Sequence, residues 1–389
     1  MRKRIVAALI FMLAAVWCTA FAADGDKKSE QEIIDEFAAL YGEELSDAAV
    51  SAAGGELERL VPGFDAENII SGLARGESVF SIREICGKGA DLLIGEIRQT
   101  VKILVLVLAL SVLSAYLVNL NANFGGGAAQ AAFFACYAII VGISAAAFLG
   151  VVRSGRAAVE NISVFMRIIV PVVLTGLASC GAVISAGAFE AILIGVTETV
   201  EWALEVVFIP LIMMAAAMNI VNNLSEKLNV DKLAGLMNKA VKWGMGIMLT
   251  VFVGITGLQG IASGGADGLT VKVTKFAASN LIPVVGGILS ESVETVMNCS
   301  IVIKNSVGVA GIMLVILIAV IPLTRAAANL ILFRLCAAII QPIADKRIVK
   351  CLSEMADSVS CIFSIIAAVA IMFVIILTII IGVGNSVFT

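Results

Sequence analysis

Three glutamates, Glu198, Glu201 and Glu205, stand at i, i+3 and i+7 beside an apolar run, so a helix through them projects all three from one side. Carboxylates in that pattern can line a polar cavity or hold a basic group, and such a side cannot face lipid at depth. The plainer alternative for Glu198 and Glu201 is a place at the water interface. Arg334 is the second unusual charge, near the middle of the apolar run 326–344. An unpaired charge at that depth costs at least ~2.5 kcal/mol. It therefore calls for a carboxylate, backbone carbonyls or water, and Glu205 is the first expected partner, with Arg334 turned inward against protein.

Most other chemistry is excluded by what the chain lacks. It has no histidine, so no Ser-His-Asp or Cys-His pair and no histidine-ligated metal or haem is possible. No GxxxxGK[ST] phosphate loop occurs, and Asp267 and Asp345 stand in no nucleophile or metal-ligand spacing. The eight cysteines form no CxxC and read as small buried residues. Three Trp, three Tyr and a formal charge of −4 give no basic aromatic surface for nucleic acid. The residues point to no enzyme and no cofactor.

A hydrophobic content of 60% with only 14% charged residues in 389 defines an integral membrane protein. Residues 1–23 carry Arg2, Lys3 and Arg4, a short apolar run and Ala20-Phe21-Ala22, the pattern of a secretory signal cleaved after Ala22 or Ala23. Residues 24–98 carry 17 Asp/Glu against 7 Lys/Arg, and 99–389 carry 13 against 16. An acidic extracytoplasmic head thus precedes a nearly neutral membrane body. In the head, Ile33, Ile34, Phe37, Leu40 and Tyr41 recur at helical spacing, and Asp65 can cap a second helix bearing Ile69, Ile70 and Leu73. Residues 82–98 keep that spacing and run straight into the first span.

Eight apolar stretches follow, at 101–120, 128–152, 168–189, 202–221, 243–263, 306–324, 326–344 and 362–384. Each is long enough to cross, and continuous runs imply helices, so the expected fold is all-α with seven or eight spans. Residues 222–242 suit a helix lying in the interface, and 269–304, broken by Pro283, Gly286 and Gly287, suits a re-entrant hairpin or a cavity-lining helix pair. Gly254, Gly257, Gly260, Gly264, Gly308 and Gly311 mark expected close helix contacts.

The chain also shows a repeat at an offset of 112. Residues 169–173 match 281–285 around Pro171 and Pro283, and 208–211 match 320–323 around Pro210 and Pro322, giving units 128–239 and 240–351. Paired proline-broken segments in corresponding halves point to a central pathway in transport-type folds, whereas the bland reading makes them packing kinks.

Ordered over roughly residues 250–385, Gln259-Gly260, Asp267-Gly268, Lys275, Asn280 through Gly286, Lys304-Asn305, Gly308, Gly311, Pro322, Gln341-Pro342 and Asp345 resemble the stage III sporulation protein AE family. The resemblance implies a multi-pass component of the channel apparatus between the mother cell and the engulfed forespore. It further implies residence in the mother-cell membrane around the forespore, with the other stage III A proteins, including an ATPase, and a forespore-side channel partner.

The leading expectation is a non-enzymatic membrane subunit of such a secretion-like channel, and the alternative is a self-sufficient secondary transporter. An intramembrane hydrolase would need a nucleophile the sequence does not display. With the head outside and eight crossings, the basic segments 153–167 and 222–242 both fall outside, against the positive-inside tendency.

Overall fold

The computed structural model describes residues 66–75, 82–121, 126–224, 230–281 and 286–386, with Gly42, Ser46 and Asp47. The signal segment, the first head helix, Asp65 and Pro283 lie outside the described residues. The described chain is helical throughout: α1 (Ala66–Ala74), α2 (Ile82–Asn121), α3 (Gly126–Ser179), α4 (Val183–Trp202), a π-helical turn (Ala203–Phe208), α5 (Ile209–Leu224), α6 (Asp231–Leu281), α7 (Gly286–Ile340) and α8 (Lys346–Ser386). The π-turn joins α4 and α5 without interruption. Among the described residues six helices are long and apolar enough to cross a membrane.

Six rather than seven or eight follows from how apolar stretches share helices. Stretches 306–324 and 326–344 lie on α7, separated only by Arg325. Stretch 128–152 and the first part of 168–189 lie on α3, because 153–167 is charged at Arg153, Arg156, Glu160 and Arg167 but holds no proline, and Arg and Glu sustain a helix despite their polarity. What reads as an external loop is therefore mid-helix. Residues 222–242 are likewise no separate interfacial helix. Asn222 and Asn223 close α5, Asn222 Oδ1 accepts the Val230 N–H at 2.9 Å, and α6 begins at Asp231 and continues unbroken into the apolar part.

The core forms around α7 and α8, most of whose apolar lengths are buried, whereas the other four candidate spans are mostly uncovered. On α8, Val359, Ile366, Val369, Phe373, Leu377 and Ile380 are fully buried at spacings of three, four and seven, the mark of one helix face meeting its neighbours. Close approach to that face uses glycine. A Cβ on Gly308 would lie 2.6 Å from Ile381 Cγ1, and one on Gly155 of α3 would lie 2.6 Å from Ile362 Cγ2. Gly260 and Gly311 pack similarly, but Gly254 and Gly257 have nothing within 4 Å because they face away from the bundle. Ile69 and Ile70 of α1 are buried and join the same core, and α2 runs continuously from Ile82 to Asn121.

Two registers matter for the site. The α3 helix has 54 residues, about 81 Å at 1.5 Å per residue, against a hydrocarbon core of about 30 Å. Near its start Phe133 lies under the Arg347 guanidinium at the start of α8 (5.5 Å), whereas Gly155 meets Ile362. The first apolar run of α3 is thus level with the polar first half of α8, and the apolar second half of α8 is level with α3 beyond Gly155. The charged segment of α3, with Arg153, Arg156, Glu160 and Arg167, sits at the step between them.

Pro171 and Pro322 lie inside α3 and α7 and end neither helix. Pro210 follows the π-turn, in which the Ile209 N–H reaches back five residues to Leu204 O. A wide turn of this kind accommodates a residue that cannot donate. The α3–α4 turn falls at Cys180–Ala182, and 112 residues further on the chain is inside α7, so the ungapped offset is not kept at the hairpin turn.

Candidate functional site

The glutamates singled out by spacing lie where α4 widens into the π-turn, opposite the charged segment of α3. Arg156 Nη2 donates to Glu205 Oε1 at 2.6 Å, and Arg167 pairs with Glu201. Glu198 is exposed and makes no hydrogen bond or ion pair among the described residues. The two pairs tie α3 to the α4–α5 rod across a cleft lined by Val152, Val159, Leu204 and Ile362 below and by Arg156, Glu160, Glu201 and Glu205 at its mouth. Both pairs fix the register of α3 against α4 and the π-turn.

Arg334 does not join this group. It is half-exposed and donates from Nη2 to Asp357 Oδ1 at 2.7 Å, a contact between α7 and α8. The expected burial and the pairing with Glu205 are both corrected by this arrangement. Residue 334 lies on an outward face of α7, and no sequence pattern distinguishes that face from the inward one. Arg325 of the same helix is better covered than Arg334: its Nε meets Glu96 Oε1 of α2 at 3.0 Å. Arg325 is visible in the sequence only as the residue dividing two apolar stretches.

A second polar assembly surrounds the Cys180–Ala182 turn. Gly181 adopts φ 88°, and the Ala182 and Gly181 amides bond back to Leu177 O and Ala178 O, the Schellman pattern that ends a helix at glycine. Two buried charged residues flank the turn. Asp267 of α6, 1% exposed, accepts the Ile184 N–H at Oδ1 (3.0 Å) and the Ser185 N–H at Oδ2 (2.9 Å), capping α4 from another helix. Lys304 of α7, also 1% exposed, donates to Ile381 O near the C-terminal end of α8 at 2.8 Å. Its stem passes over Gly176, where a Cβ would come within 3.2 Å of Lys304 Cβ. Gly286, the first residue of α7, lies on the element that follows the described end of α6.

At the opposite end, Glu354 of α8 accepts from Asn223 Nδ2 at 2.5 Å, Lys350 lies 3.4 Å from Asp231, and the Tyr137 hydroxyl donates to Ile220 O at 3.2 Å. Sequence reasoning missed these partners because each joins positions far apart in the chain. Cys136, Cys180, Cys336, Cys351 and Cys361 are free and buried, and among the described residues no three His, Cys, Asp or Glu side chains gather as a metal site would need. The arrangement holds helices at fixed register and offers a charged lateral cleft; among the described residues it brings no nucleophile to a base.

Long apolar helices cross-linked by interhelical ion pairs and buried caps define a polytopic all-α membrane protein. The family description stage III sporulation protein AE matches residues 64–384, and the chain belongs to that family. It is 29% identical over 311 residues to the stage III sporulation protein AE of Bacillus subtilis (strain 168), covering 80% of this chain and 78% of that protein. No solved structure matches it. The protein is therefore a membrane protein of sporulation.

Proposed function

We propose that this chain is a non-enzymatic membrane subunit of a secretion-like channel between mother cell and forespore. In this reading it resides in the mother-cell membrane around the forespore, holds residues 24–98 outside the cytoplasm, and works with the other stage III A proteins, an ATPase among them, and a forespore-side partner. The observation that carries the reading is the family match over 64–384. The half-exposed charges at Arg156 and Glu205 support it, since they lie at the outside of the bundle and not on an enclosed solute site.

The test is isolation of the tagged chain from sporulating cells in mild detergent, followed by reconstitution of the purified chain alone. Recovery of other stage III A proteins with the tagged chain, and vesicles that remain tight to small solutes, are expected. Solute uptake by the chain alone, with no protein co-isolated, would replace this reading with a secondary transporter.

A further inference from the structure

The two sides of α6 change differently along its length. Its inward side is continuous: Ala234, Val241, Met245, Phe252 and Thr256 are buried at helical spacing from the first turns into the apolar part. The outward side switches once. Lys232, Lys239 and Lys242 are exposed and make no ion pair among the described residues, Trp243 is three-quarters exposed, and beyond it Ile247, Val251 and Leu258 are exposed and apolar. Because the packing behind it stays the same, the switch at Trp243 marks a change in what surrounds the helix, lipid chains beyond it and a polar layer before it.

That layer lies at one end of the bundle. There the α5–α6 and α7–α8 connections meet the start of α3, through Asn223 on Glu354, Lys350 near Asp231 and Arg347 over Phe133. Lys346, the first residue of α8, is a fourth exposed lysine without an ion pair among the described residues. Side chains lean toward the N-terminus of their helix, and α6 and α8 both begin at this end, so all four stems lean away from the apolar level. The α3–α4 turn at the opposite end has no charged residue across 168–189. Helix α2 runs parallel to α7, with Gly89 beside Val320 and Glu96 on Arg325, and so begins toward that opposite end.

We propose that Lys232, Lys239, Lys242 and Lys346 form a binding surface for anionic phospholipid head groups of the cytoplasmic leaflet. A tryptophan at the boundary, aliphatic surface on one side of it and unpaired ammonium groups on the other match a phospholipid's interfacial level, chains and phosphate. A soluble acidic partner would use the lysines and leave the adjoining Ile247 and Leu258 face uncovered. The surface goes beyond the subunit reading and shares one element with it, the side on which residues 24–98 stand.

The test titrates the purified full-length chain in detergent with phosphatidylglycerol or phosphatidylcholine, read by native mass spectrometry. Phosphatidylglycerol should be retained in preference, and Lys239→Gln should weaken its binding about five-fold. Changing all four lysines to Gln should erase the preference, whereas changing all four to Arg should keep it. Lys102→Gln, at an exposed lysine of α2, should change nothing. Equal retention of the two lipids by the wild-type chain, a preference untouched by the four Gln changes, or displacement of phosphatidylglycerol by an equal concentration of inorganic phosphate overturns the surface. Sidedness is read separately with an impermeant maleimide on intact vegetative cells producing the chain. Above the wild-type background, Ser179→Cys at the α3–α4 turn should label, and Ile343→Cys at the α7–α8 turn should label only after lysis. The reverse pattern overturns both the leaflet assigned here and the external placing of residues 24–98, whereas loss of the lipid preference with the expected pattern kept overturns the surface alone.

Discussion

Replacing Asp267 is expected to loosen one turn before it unfolds the protein. Its two carboxylate oxygens satisfy the Ile184 and Ser185 amides, among the N–H groups that the start of α4 cannot satisfy within itself, and the site is closed to solvent. Each buried amide left without an acceptor costs about 1–3 kcal/mol, so Asp267→Ala should lose about 2–6 kcal/mol and Asp267→Asn, which keeps one acceptor oxygen, about half of that. Much of the loss is local, because the Cys180–Ala182 turn can part from α6 while the α7–α8 core stays packed. The assay is maleimide labelling of Cys180 in membranes, quantified by peptide mass spectrometry with Cys361 as the internal reference. Both thiols are fully buried in the native fold. Labelling of Cys180 should rise in the order wild type, Asn, Ala while Cys361 stays protected. Equal protection of Cys180 in all three chains, with unchanged thermal unfolding, would show that Asp267 does not hold the turn.

Other outcomes test the packing and the pairs. Gly308→Ala drives a methyl group to 2.6 Å from Ile381 Cγ1 and should cost about 1–3 kcal/mol by overpacking. Gly254→Ala, with open space around it, should be neutral or stabilising by up to about 1 kcal/mol; thermal unfolding in detergent compares them. Arg334→Ala leaves the Asp357 carboxylate without its cation and should lower the unfolding temperature, and exchanging Arg334 and Asp357 should restore it where exchanging Arg334 and Glu205 restores nothing. Lys304→Met keeps the stem and removes a buried ammonium, so the unfolding temperature should hold or rise, whereas Gly176→Leu, pressed against the Lys304 stem, should lower it.

Helical class and membrane character were legible in the sequence because continuous apolar runs admit little else, and the glutamate spacing correctly put Glu201 and Glu205 on one polar side. Their partners were not legible, since Arg156 and Arg167 lie 49 and 34 residues away. Span boundaries failed for a definite reason. Polarity and helix breaking are different signals: Arg153, Arg156, Glu160 and Arg167 are polar without breaking a helix, while Gly181 ends α3 inside a stretch that is apolar on both sides. The glycine at 181, after Ser179 and Cys180, was the available cue. Arg334 misled because a charge in an apolar run signals a need for compensation but not a direction, and Asp357 on the next helix meets that need at the surface.

Helices longer than twice the bilayer's hydrocarbon core have a mechanical consequence. An α-helix is a stiff rod, and α3 and α7 each run on as one helix through a single internal proline, Pro171 and Pro322. A push on the Cys180–Ala182 tip must therefore reappear as a tilt at Phe133, with the α8 rod as fulcrum at Gly155 and Ile362. Compliance is confined to the π-turn at Ala203–Phe208 and to the turns around Pro171, Pro210 and Pro322, where the backbone ladder is already incomplete. The subunit is in this sense a lever whose few soft points are set by sequence.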